Sequence, residues 1–594
     1  MAKTSLILIT HLFLLSFIGL GQSGLLIEAE SFPDKGGWVV DPQFVEQMGS
    51  PYLMAHGMGK PVAKASTELK FDQKGSYHIW ARTKNWVPGN WDAPGRFQLV
   101  VDGQKLPNIL GKTTAWGWEY AGIVEINNKK IVIELLDLTG FNGRCDAIFF
   151  SQSDQVPPSS PDELAEWRKT VLQEVPVPPT IKTYELVVVG GGIAGCAAAI
   201  AAAEEGVKVA LIHDRPLLGG NASSEIRVHT LGIYGKYERI LKMIDTEHYP
   251  NGSPDAKYDQ QKRGRNVKSY ENIDLYLNVR AYDAEANNFT VIHVDTRQTS
   301  TGERIRFKAP LFIDATGDGW IGYWSGAEYS YGRESVDQYD EAWDEWGELW
   351  SPEEADDFVM GSSVLWRTQV EAEPQVFPDV PWALEVAKDH EAVAGEWYWE
   401  FSRNDLHQIE DGEEIRDHIL RAIYGSFSNA KQRPENKNYR LQWVSYLLGK
   451  RESRRLVGDH IFTFKDVTDL TKFPDSVVQE IREIDVHFQQ NLEDENKPDF
   501  LSKALFYETE KYYIPYRSLY SKNISNLFMA GRCFSCSHLG LGGPRVMRTT
   551  GQMGAAVGFA ASLCKKYGVN PRDIYEKHLA EYMALIESQQ WKNR

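Results

Sequence analysis

The sequence predicts a multidomain protein in which an all-β sandwich comes first and an α/β domain follows it. Residues 24–152 alternate short apolar segments with glycine, proline and asparagine turns, which is the pattern of a sandwich of short strands. Residues 153–182 are rich in proline and are typical of a semi-rigid linker, and the chain beyond them alternates strand-like and helix-like segments. A chain of 594 residues is also too long for one ordinary domain.

In the β-rich part, apolar alternation predicts strands at Ser76–Ala81, Phe97–Val101 and Lys130–Leu135. The proline-rich linker contains one stretch with helical character, at residues 162–173.

Charge and missing motifs argue against several classes of function. The formal net charge is −18 and no long basic run is present, so nucleic acid and anionic membrane surfaces are unsuitable partners. The sequence contains no GxSxG, no HExxH and no paired CxxC motifs, which leaves a serine hydrolase or a zinc enzyme without support.

Residues 1–23 are typical of a signal peptide, because Lys3 precedes an apolar run that ends among small residues, Gly19 and Gly21. The run is short for a membrane span, and no other segment approaches that length. We therefore expect an exported protein, periplasmic or secreted, with no membrane span.

A strand, a glycine turn and an alanine-rich helix follow one another at the start of the α/β part. Gly190 permits the tight turn, Gly192 lets the backbone approach a pyrophosphate, and Gly195 lets the helix pack on the strand. The helix also offers its first free N–H groups to an anion. A second strand, Val207–Ile212, is followed by Asp214, one residue later than the usual ribose-binding acid. The sequence therefore predicts a dinucleotide site.

Four further segments resemble flavoproteins of the glutathione-reductase-like fold, and most closely an exported FAD-dependent oxidoreductase family. The segments are Arg215–Glu225, Phe312–Gly319, Gly449–Arg455 and Leu527–Ala556. The resemblance implies a Rossmann-type FAD-binding domain over residues 183–594, with an inserted α+β substrate-facing domain mainly at residues 335–515.

The same resemblance implies FAD as the cofactor, held by the glycine turns and by the final helix. Gly531-Arg532 stands where related flavoproteins have a glycine and an acid, so the acid contact to the ribityl chain is not carried over. The predicted cofactor-binding residues are Gly190, Gly192, Gly195, Asp214, Gly219, Gly220, Asn221, Thr316, Gly317, Asp318, Gly531, Arg532, Gln552 and Met553.

The β-rich part resembles the carbohydrate-binding β-sandwich modules that accompany glycan-processing enzymes, at its opening Ile27-Glu-Ala-Glu and at its closing Arg144-Cys-Asp-Ala-Ile. In those modules an opening acidic pair and a late aspartate share a calcium ion, so the resemblance implies Ca²⁺ at Glu28, Glu30 and Asp146. The alternative is that these three are ordinary surface carboxylates.

Three tryptophans of the β-rich part, Trp86, Trp91 and Trp116, lie in stretches rich in glycine and proline. A flat apolar ring in such a loop can stack on a sugar, so a glycan is the predicted partner of this part of the chain.

The resemblance also places residues around the flavin. His538, between a strand and the final helix, is the predicted catalytic base, because an imidazole can remove a hydroxyl proton while hydride passes to flavin N5. Arg545 is the predicted clamp for substrate or for developing negative charge. Arg451 belongs to the segment that looks like the family's arginine-rich segment.

Glu225, Arg227 and His229 alternate along an apparent strand and would share one face. They bind substrate or line a polar surface.

The sequence thus predicts an exported enzyme that oxidises a hydroxyl of a carbohydrate or glycan-derived substrate. Three alternatives stay open: redox-neutral cleavage or elimination through transient oxidation, thiol-disulfide exchange at Cys533 and Cys536, and glycan binding without catalysis. The cysteine pair otherwise forms a buried pair or a structural disulfide. The final electron acceptor is not identified by any motif.

Overall fold

The computed structural model describes residues 24–403 and 405–591. The predicted signal peptide, residues 1–23, therefore lies outside the described residues.

Residues 24–151 form three antiparallel sheets, with strand orders β1-β11-β5-β8, β10-β3-β2 and β4-β9-β6-β7. The elements are β1 (Gly24–Glu28), β2 (Val39–Asp41), α1 (Val45–Met48), β3 (Tyr52–His56), β4 (Ala65–Lys70), β5 (Gly75–Thr83), β6 (Phe97–Val101), β7 (Gln104–Lys105), β8 (Gly117–Ile126), β9 (Lys130–Asp137), β10 (Phe141–Cys145) and β11 (Ala147–Ser151). The three predicted strands fall within β5, β6 and β9. In β9, Ile131, Ile133 and Leu135 point into the core while their neighbours face outward, as a period of two requires.

The linker contains helix α2 (Pro161–Val171), close to its predicted position, with proline at its first turn. Arg168 of this helix reaches back to the three carboxylates predicted to bind calcium. It donates to Asp146 Oδ2 at 2.5 Å and lies 3.3 Å from Glu28 Oε2. Arg82 donates to the same Asp146 oxygen at 2.8 Å.

Two guanidinium groups therefore supply positive charge at Asp146, and Arg168 also supplies it at Glu28. Within residues 24–403 and 405–591, no cluster of three or more histidine, cysteine, aspartate or glutamate side chains could hold a metal ion. The calcium prediction finds no support in the described residues, where an arginine of the linker contacts two of the three carboxylates instead.

The next part of the chain builds a parallel sheet flanked by helices. Its elements are β12 (Thr180–Thr183), β13 (Leu186–Val189), α3 (Ile193–Glu204), β14 (Val209–His213), α4 (Glu238–Ile244), α5 (Ala256–Lys268), β15 (Ile273–Leu277), β16 (Val279–Asn287), β17 (Thr290–Gln298), β18 (Arg304–Lys308), β19 (Leu311–Asp314) and α6 (Trp320–Ser325). The order β15-β14-β13-β19-β31 describes five parallel strands, the last of which comes from much later in the chain. A separate four-stranded sheet has the order β12-β18-β17-β16. Its strands β16, β17 and β18 come between β15 and β19 in the chain, and β12 comes before β13. This arrangement is that of a doubly wound nucleotide-binding fold.

Residues 329–515 contain short strands and two longer helices. The elements are β20 (Tyr329–Ser330), α7 (Val336–Tyr339), β21 (Ser362–Ser363), β22 (Trp366–Val370), α8 (Pro381–Ala387), β23 (Glu400–Phe401), α9 (Gly412–Lys431), β24 (Tyr439–Val444), β25 (Gly449–Lys450), β26 (Arg455–Leu456), α10 (Phe464–Thr468), β27 (Ser476–Glu480), β28 (Ile484–Gln489), β29 (Ser502–Tyr507) and β30 (Tyr512–Pro515). They form sheets of only two or three strands.

The chain then returns to the parallel sheet and ends in helices. The elements are β31 (Leu527–Met529), α11 (His538–Leu541), α12 (Met547–Tyr567), α13 (Pro571–Lys577) and α14 (Leu579–Trp591). Helix α12 lies directly against α3: a Cβ on Gly554 would meet the carbonyl oxygen of Ala194 at 2.0 Å, and one on Gly558 would meet that of Ala198 at 2.4 Å. Small residues on both helices permit this approach.

The tryptophans predicted to stack on a glycan instead face helix α9 and its neighbours. Trp86 is buried, and its ring lies 5.2 Å from that of Trp382. Trp116 Nε1 donates to Glu413 Oε2 at 2.9 Å, and Trp91 packs against the same apolar cluster. These rings are used for contact between the β-rich part and the rest of the chain, which removes them as a glycan surface.

In the described part of the chain, no helix combines the length and the apolar character needed to cross a membrane.

Candidate active site

A cavity of about 1050 Å³ lies at the carboxyl end of the parallel sheet. The loops that follow β13, β14, β19 and β31 all line it. Ligands of doubly wound folds bind at this edge, because the strand ends and the helix starts meet there.

The first glycine turn is built as the sequence predicts. Gly190 has a φ of +111°, and a Cβ on it would meet the carbonyl oxygen of Ala315 at 2.1 Å. A Cβ on Gly195 would lie 1.8 Å from the carbonyl oxygen of Gly190, so only glycine lets helix and turn pack. Gly192 precedes the first residue of α3 and lines the cavity, which leaves the first N–H groups of that helix beside the cavity.

At the end of β14, His213 supports the glycine turn and Asp214 faces the cavity. His213 Nδ1 accepts from the backbone N–H of Gly191 at 3.1 Å, and Nε2 lies 3.0 Å from the carbonyl oxygen of Leu217. Burial lowers the pKa of His213 to about 4, so the ring is neutral and props the glycine turn. Asp214 faces the cavity and lies 3.4 Å from Arg280 Nη1.

A second pair of glycines lies beside the first turn. Gly219 and Gly220 have φ values of +119° and +58°, and the N–H of Gly219 donates to the carbonyl oxygen of Gly191 at 2.8 Å. A Cβ on Gly220 would stand 3.3 Å from Gly192 Cα. The two turns therefore leave a cradle of bare backbone. Asn221 also lines the cavity, and its Nδ2 donates to the carbonyl oxygen of Lys450 at 3.1 Å.

Asp318 is the centre of a charged cluster on the cavity wall. It accepts from Lys450 Nζ at 2.8 Å, from Arg532 Nη2 at 2.6 Å and from Ser453 Oγ at 2.8 Å. Burial alone would raise the pKa of Asp318, but Lys450 and Arg532 hold it well below its usual range. Arg532 thus occupies the position where an acid was expected and is itself held by an acid from the neighbouring turn.

Thr316 hydrogen-bonds locally, because its hydroxyl donates to Asp314 Oδ1 at 2.7 Å and accepts from the N–H of Trp320 at 3.0 Å. Thr316, Gly317 and Gly531 nevertheless line the cavity.

At another part of the same cavity three arginines come together with an aspartate and a histidine; we call Arg451, Arg482, Asp485, His487 and Arg545 the arginine chamber. Arg545 Nη2 and Arg482 Nη2 lie 3.1 and 2.9 Å from Asp485 Oδ2. Burial, reinforced by Arg451 and Arg482 and opposed by Asp485, lowers the pKa of Arg545 to about 10. The Nε atoms of Arg482 and Arg545 are buried and have no hydrogen-bond partner among the described residues.

The rest of the chamber is tied to residues behind it. Arg451 donates to Ser363 Oγ at 2.7 Å and to the carbonyl oxygen of Trp397 at 2.8 Å, and it lies 3.1 Å from Glu400 Oε2. His487 Nδ1 lies 2.7 Å from the same Glu400 oxygen. Glu400 therefore orients one cation and one imidazole of the chamber at once.

Comparison with known proteins identifies the family. The family model for the FAD dependent oxidoreductases matches residues 185–583. The chain belongs to this family. The cradle fits such a cofactor, because bare backbone at Gly192 and Gly220 would face a pyrophosphate and Asp214 lies where a ribose is bound in this kind of fold. No curated protein matches the chain.

Several solved structures are distantly similar to the chain. One is a geranylgeranyl bacteriochlorophyll reductase-like protein from Thermoplasma acidophilum, at 13% identity over 69% of this chain and 84% of that one, with a TM-score of 0.32. A myxobacterial chondrochloren halogenase is 11% identical over 68% and 79% of the two chains, with a TM-score of 0.32. A family 35 carbohydrate binding module from Clostridium thermocellum is 16% identical over 22% and 92%, with a TM-score of 0.17. At TM-scores this low, the three likenesses establish nothing about the chain.

Besides Gly195, two residues of α12 that were predicted to bind the cofactor do not line the cavity. Gln552 is buried, and its Nε2 donates to the carbonyl oxygens of Ile233 and Gln479, each at 2.8 Å. Met553 belongs to the hydrophobic core. The part of α12 that reaches the cavity is its first turn, at Met547 and Thr550.

The predicted catalytic base, His538, also lies away from the cavity wall. It is 1% exposed, and its Nδ1 lies 2.8 Å from Glu452 Oε2. Its backbone N–H donates to Glu334 Oε2 at 2.8 Å. The short helix α11 therefore places His538 in a buried polar cluster, whereas Arg545 and Arg451 do line the cavity.

His229 lines the cavity, although Glu225 and Arg227 do not. The three do not share a strand face, because the segment has no strand and Arg227 adopts a φ of +62°. Asn251 Oδ1 accepts from the backbone N–H of His229 at 3.0 Å and lies 2.7 Å from its Nδ1. Because the amide oxygen is an acceptor, Nδ1 carries the hydrogen and Nε2 keeps a lone pair. Burial lowers the pKa of His229, so the ring favours the neutral form.

The cysteine pair is not part of this site. Cys533 and Cys536 are free, buried thiols that do not line the cavity, and burial raises the pKa of both well above the usual range. Neither a disulfide nor a thiolate relay fits this setting.

Several residues of the cavity wall were not singled out from the sequence. Asp485 and His487 alternate along β28 directly after Arg482, so a strand with charged residues on one face was a usable signal. Gln43, Phe44, Glu46 and Gln47 of the β-rich part also line the cavity. No local pattern distinguishes them.

Proposed function

We propose that this FAD dependent oxidoreductase oxidises a hydroxyl group of an acidic carbohydrate or glycan-derived acid. The proposal rests on one observation: a single cavity contains both the cofactor cradle and the arginine chamber. We also propose export through residues 1–23, as the sequence pattern indicates.

When bound, FAD would supply the two-electron acceptor for such a reaction. The residues proposed to hold it all line the cavity, and they are Gly190, Gly192, Asp214, Gly219, Gly220, Asn221, Thr316, Gly317, Asp318, Gly531 and Arg532. Gly195 acts behind them, by letting α3 approach the turn.

His229 is proposed as the group that takes the hydroxyl proton. Its Nδ1–H is committed to Asn251, so Nε2 is the atom with a lone pair. A general base must be unprotonated before it takes a proton. Burial lowers the pKa of His229 and so favours its neutral form.

The arginine chamber is proposed to bind the acid group of the substrate. All three arginines of the chamber line the cavity, where Arg482 and Arg545 share the carboxylate of Asp485. A carboxylate supplies acceptor oxygens of the right charge, and guanidinium groups bind carboxylates through paired hydrogen bonds.

Aromatic rings complete the proposed substrate site. Tyr249, Trp397 and Phe506 line the cavity beside Glu396. Apolar ring faces next to a few polar groups are the usual lining of a small-molecule site, and a sugar offers both kinds of surface.

The test is to mix the FAD-loaded protein, without oxygen, with neutral sugars and with the matching sugar acids, and to follow the visible flavin absorbance. We expect a sugar acid to bleach the flavin while its neutral counterpart does so far more weakly. Arg545→Gln should weaken the response to the acid, whereas Arg433→Gln, at an exposed ion pair that does not line the cavity, should not. Equal bleaching by the neutral sugar would refute the acid preference, and no bleaching by any sugar would refute the substrate class.

A further inference from the structure

One wall of the cavity belongs to the β-rich part of the chain. Gln43, Phe44, Glu46 and Gln47 all line it, although they precede the first glycine turn by well over a hundred residues. We call residues 43–47, between β2 and the end of α1, the capping segment.

Contacts of Glu46 locate the capping segment within the cavity. Glu46 Oε1 accepts from Arg280 Nη2 at 2.5 Å, and Arg280 Nη1 lies 3.4 Å from Asp214 Oδ2. Asp214 follows the second parallel strand, where doubly wound folds bind the ribose of the adenosine half. The capping segment therefore lies at the end of the cradle where the adenosine half is expected.

The segment is held in place by contacts with Tyr446, Leu448 and Arg416. The side chain of Gln43 donates from Nε2 to the carbonyl oxygen of Tyr446 at 3.1 Å, and its Oε1 accepts from the N–H of Leu448 at 2.7 Å. Phe44 is buried, with the guanidinium of Arg416 4.9 Å from its ring centre. The hydrogen bonds of Gln43 and the buried ring of Phe44 thus anchor the first part of the segment to the rest of the chain.

The docking surface around the segment is also strongly bonded. Arg144 donates to Glu413 Oε1 at 2.7 Å and to Asp417 Oδ2 at 2.9 Å, and Tyr52 donates to Glu413 at 3.0 Å. All four side chains are buried. Separating the two parts would leave buried charges without their partners, which is strongly unfavourable. These ion pairs therefore keep the β-rich part docked.

We propose that the N-terminal β-rich part is a component of the cofactor site: its capping segment binds the adenosine half of the dinucleotide. Arg280 bridges Glu46 and Asp214, and because Glu46 takes one side of the guanidinium, Asp214 keeps acceptor capacity for ribose hydroxyls. The proposal rests on the family's cofactor and not on the proposed substrate.

Hydrogen exchange on the full chain tests this proposal directly. Adding FAD to the apo protein should slow exchange in residues 43–47 as well as in the glycine turn at 190–195. Slowed exchange at 190–195 with none at 43–47 would overturn the proposal and leave cofactor binding intact. No change at either place would show that FAD does not bind in the cradle, and the proposal would fall with it.

A charge-removing variant gives a second readout. In Glu46→Gln, Arg280 is free to pair fully with Asp214, and the dissociation constant for FAD, measured by fluorescence titration, should rise about tenfold. The matched control is Glu125→Gln, the same change at an exposed position of β8 that does not line the cavity, and it should bind FAD as the parent does. Equal affinity in Glu46→Gln and the parent would overturn the role given to Glu46.

Discussion

At the residue scale, His229 is the group on which the proposed chemistry depends. Replacing it with glutamine keeps a polar side chain of similar reach but removes the basic nitrogen. We expect His229→Gln to slow flavin reduction by the substrate about 10²- to 10⁴-fold, the usual contribution of a general base. Stopped-flow absorbance under anaerobic conditions measures this rate.

The control for that variant is His78→Gln, which changes a histidine of β5 that does not line the cavity. It should reduce at the parent rate. His229→Gln should also bind FAD normally, since His229 lies outside the cradle. A reduction rate in His229→Gln within a few-fold of the parent would exclude the proton-accepting role.

The pH dependence of the reaction follows from the same ring. Burial lowers the pKa of His229, and the base is active only while it is neutral. The rate should therefore fall as the pH drops through a value below about 6.5, the ordinary pKa of histidine. A profile of kcat/KM against pH shows this acid limb. An acid limb centred above the ordinary histidine value would contradict the assignment.

Residue roles were predictable where they follow from local backbone demands. Gly190 and Gly195 were recognisable because turn and helix packing need glycine at those spacings. The buried setting of His538 was not recognisable, because its hydrogen-bond partner Glu452 lies 86 positions earlier in the chain. A contact across that separation leaves no trace in the local pattern.

At the element scale, the pair of helices α3 and α12 supports the cradle from behind. A Cβ on Gly554 would meet the carbonyl oxygen of Ala194 at 2.0 Å, and Ala194 itself lines the cavity. We expect Gly554→Ala to force the helices apart, to lower the free energy of unfolding by about 1–3 kcal/mol, and to weaken FAD binding. Thermal unfolding and FAD titration measure the two effects.

The matched control is Gly264→Ala, within helix α5, where an added Cβ would have nothing within 4 Å. Alanine is the better helix former, so this variant should be more stable by about 0.5–1 kcal/mol. If both variants changed stability in the same direction, close helix packing would not be the property that Gly554 provides.

Elements were predictable where their pattern is periodic. Strands β13 and β14, the glycine turn and helix α3 follow one another with the expected apolar spacing. The strand predicted at residues 225–229 was wrong. A short polar alternation also fits an extended loop, and Arg227 adopts a left-handed conformation there.

At the scale of the whole molecule, the β-rich part and the oxidoreductase part share one buried surface. Its clearest signal in the sequence, the loop tryptophans, also fits a glycan-binding face. The distinction depends on partners that lie far apart in the chain, such as Trp116 and Glu413. The sequence therefore showed that these tryptophans belong to a contact surface, but not that the surface they contact is the oxidoreductase part of the same chain.

The ion pairs of this shared surface should hold the two parts together. Asp417→Asn removes one of two acids that contact Arg144, whose side chain is fully buried. Because a buried charge is then only partly compensated, we expect a loss of about 3–5 kcal/mol in the free energy of docking. The capping segment should leave the cradle in the same step, so the variant should both lose affinity for FAD and be cut more readily by protease in residues 153–182. Glu391→Gln, at the exposed ion pair with Arg433, is the control and should change neither property. Protease resistance and FAD affinity equal to the parent in Asp417→Asn would mean that the apolar contacts alone keep the parts docked.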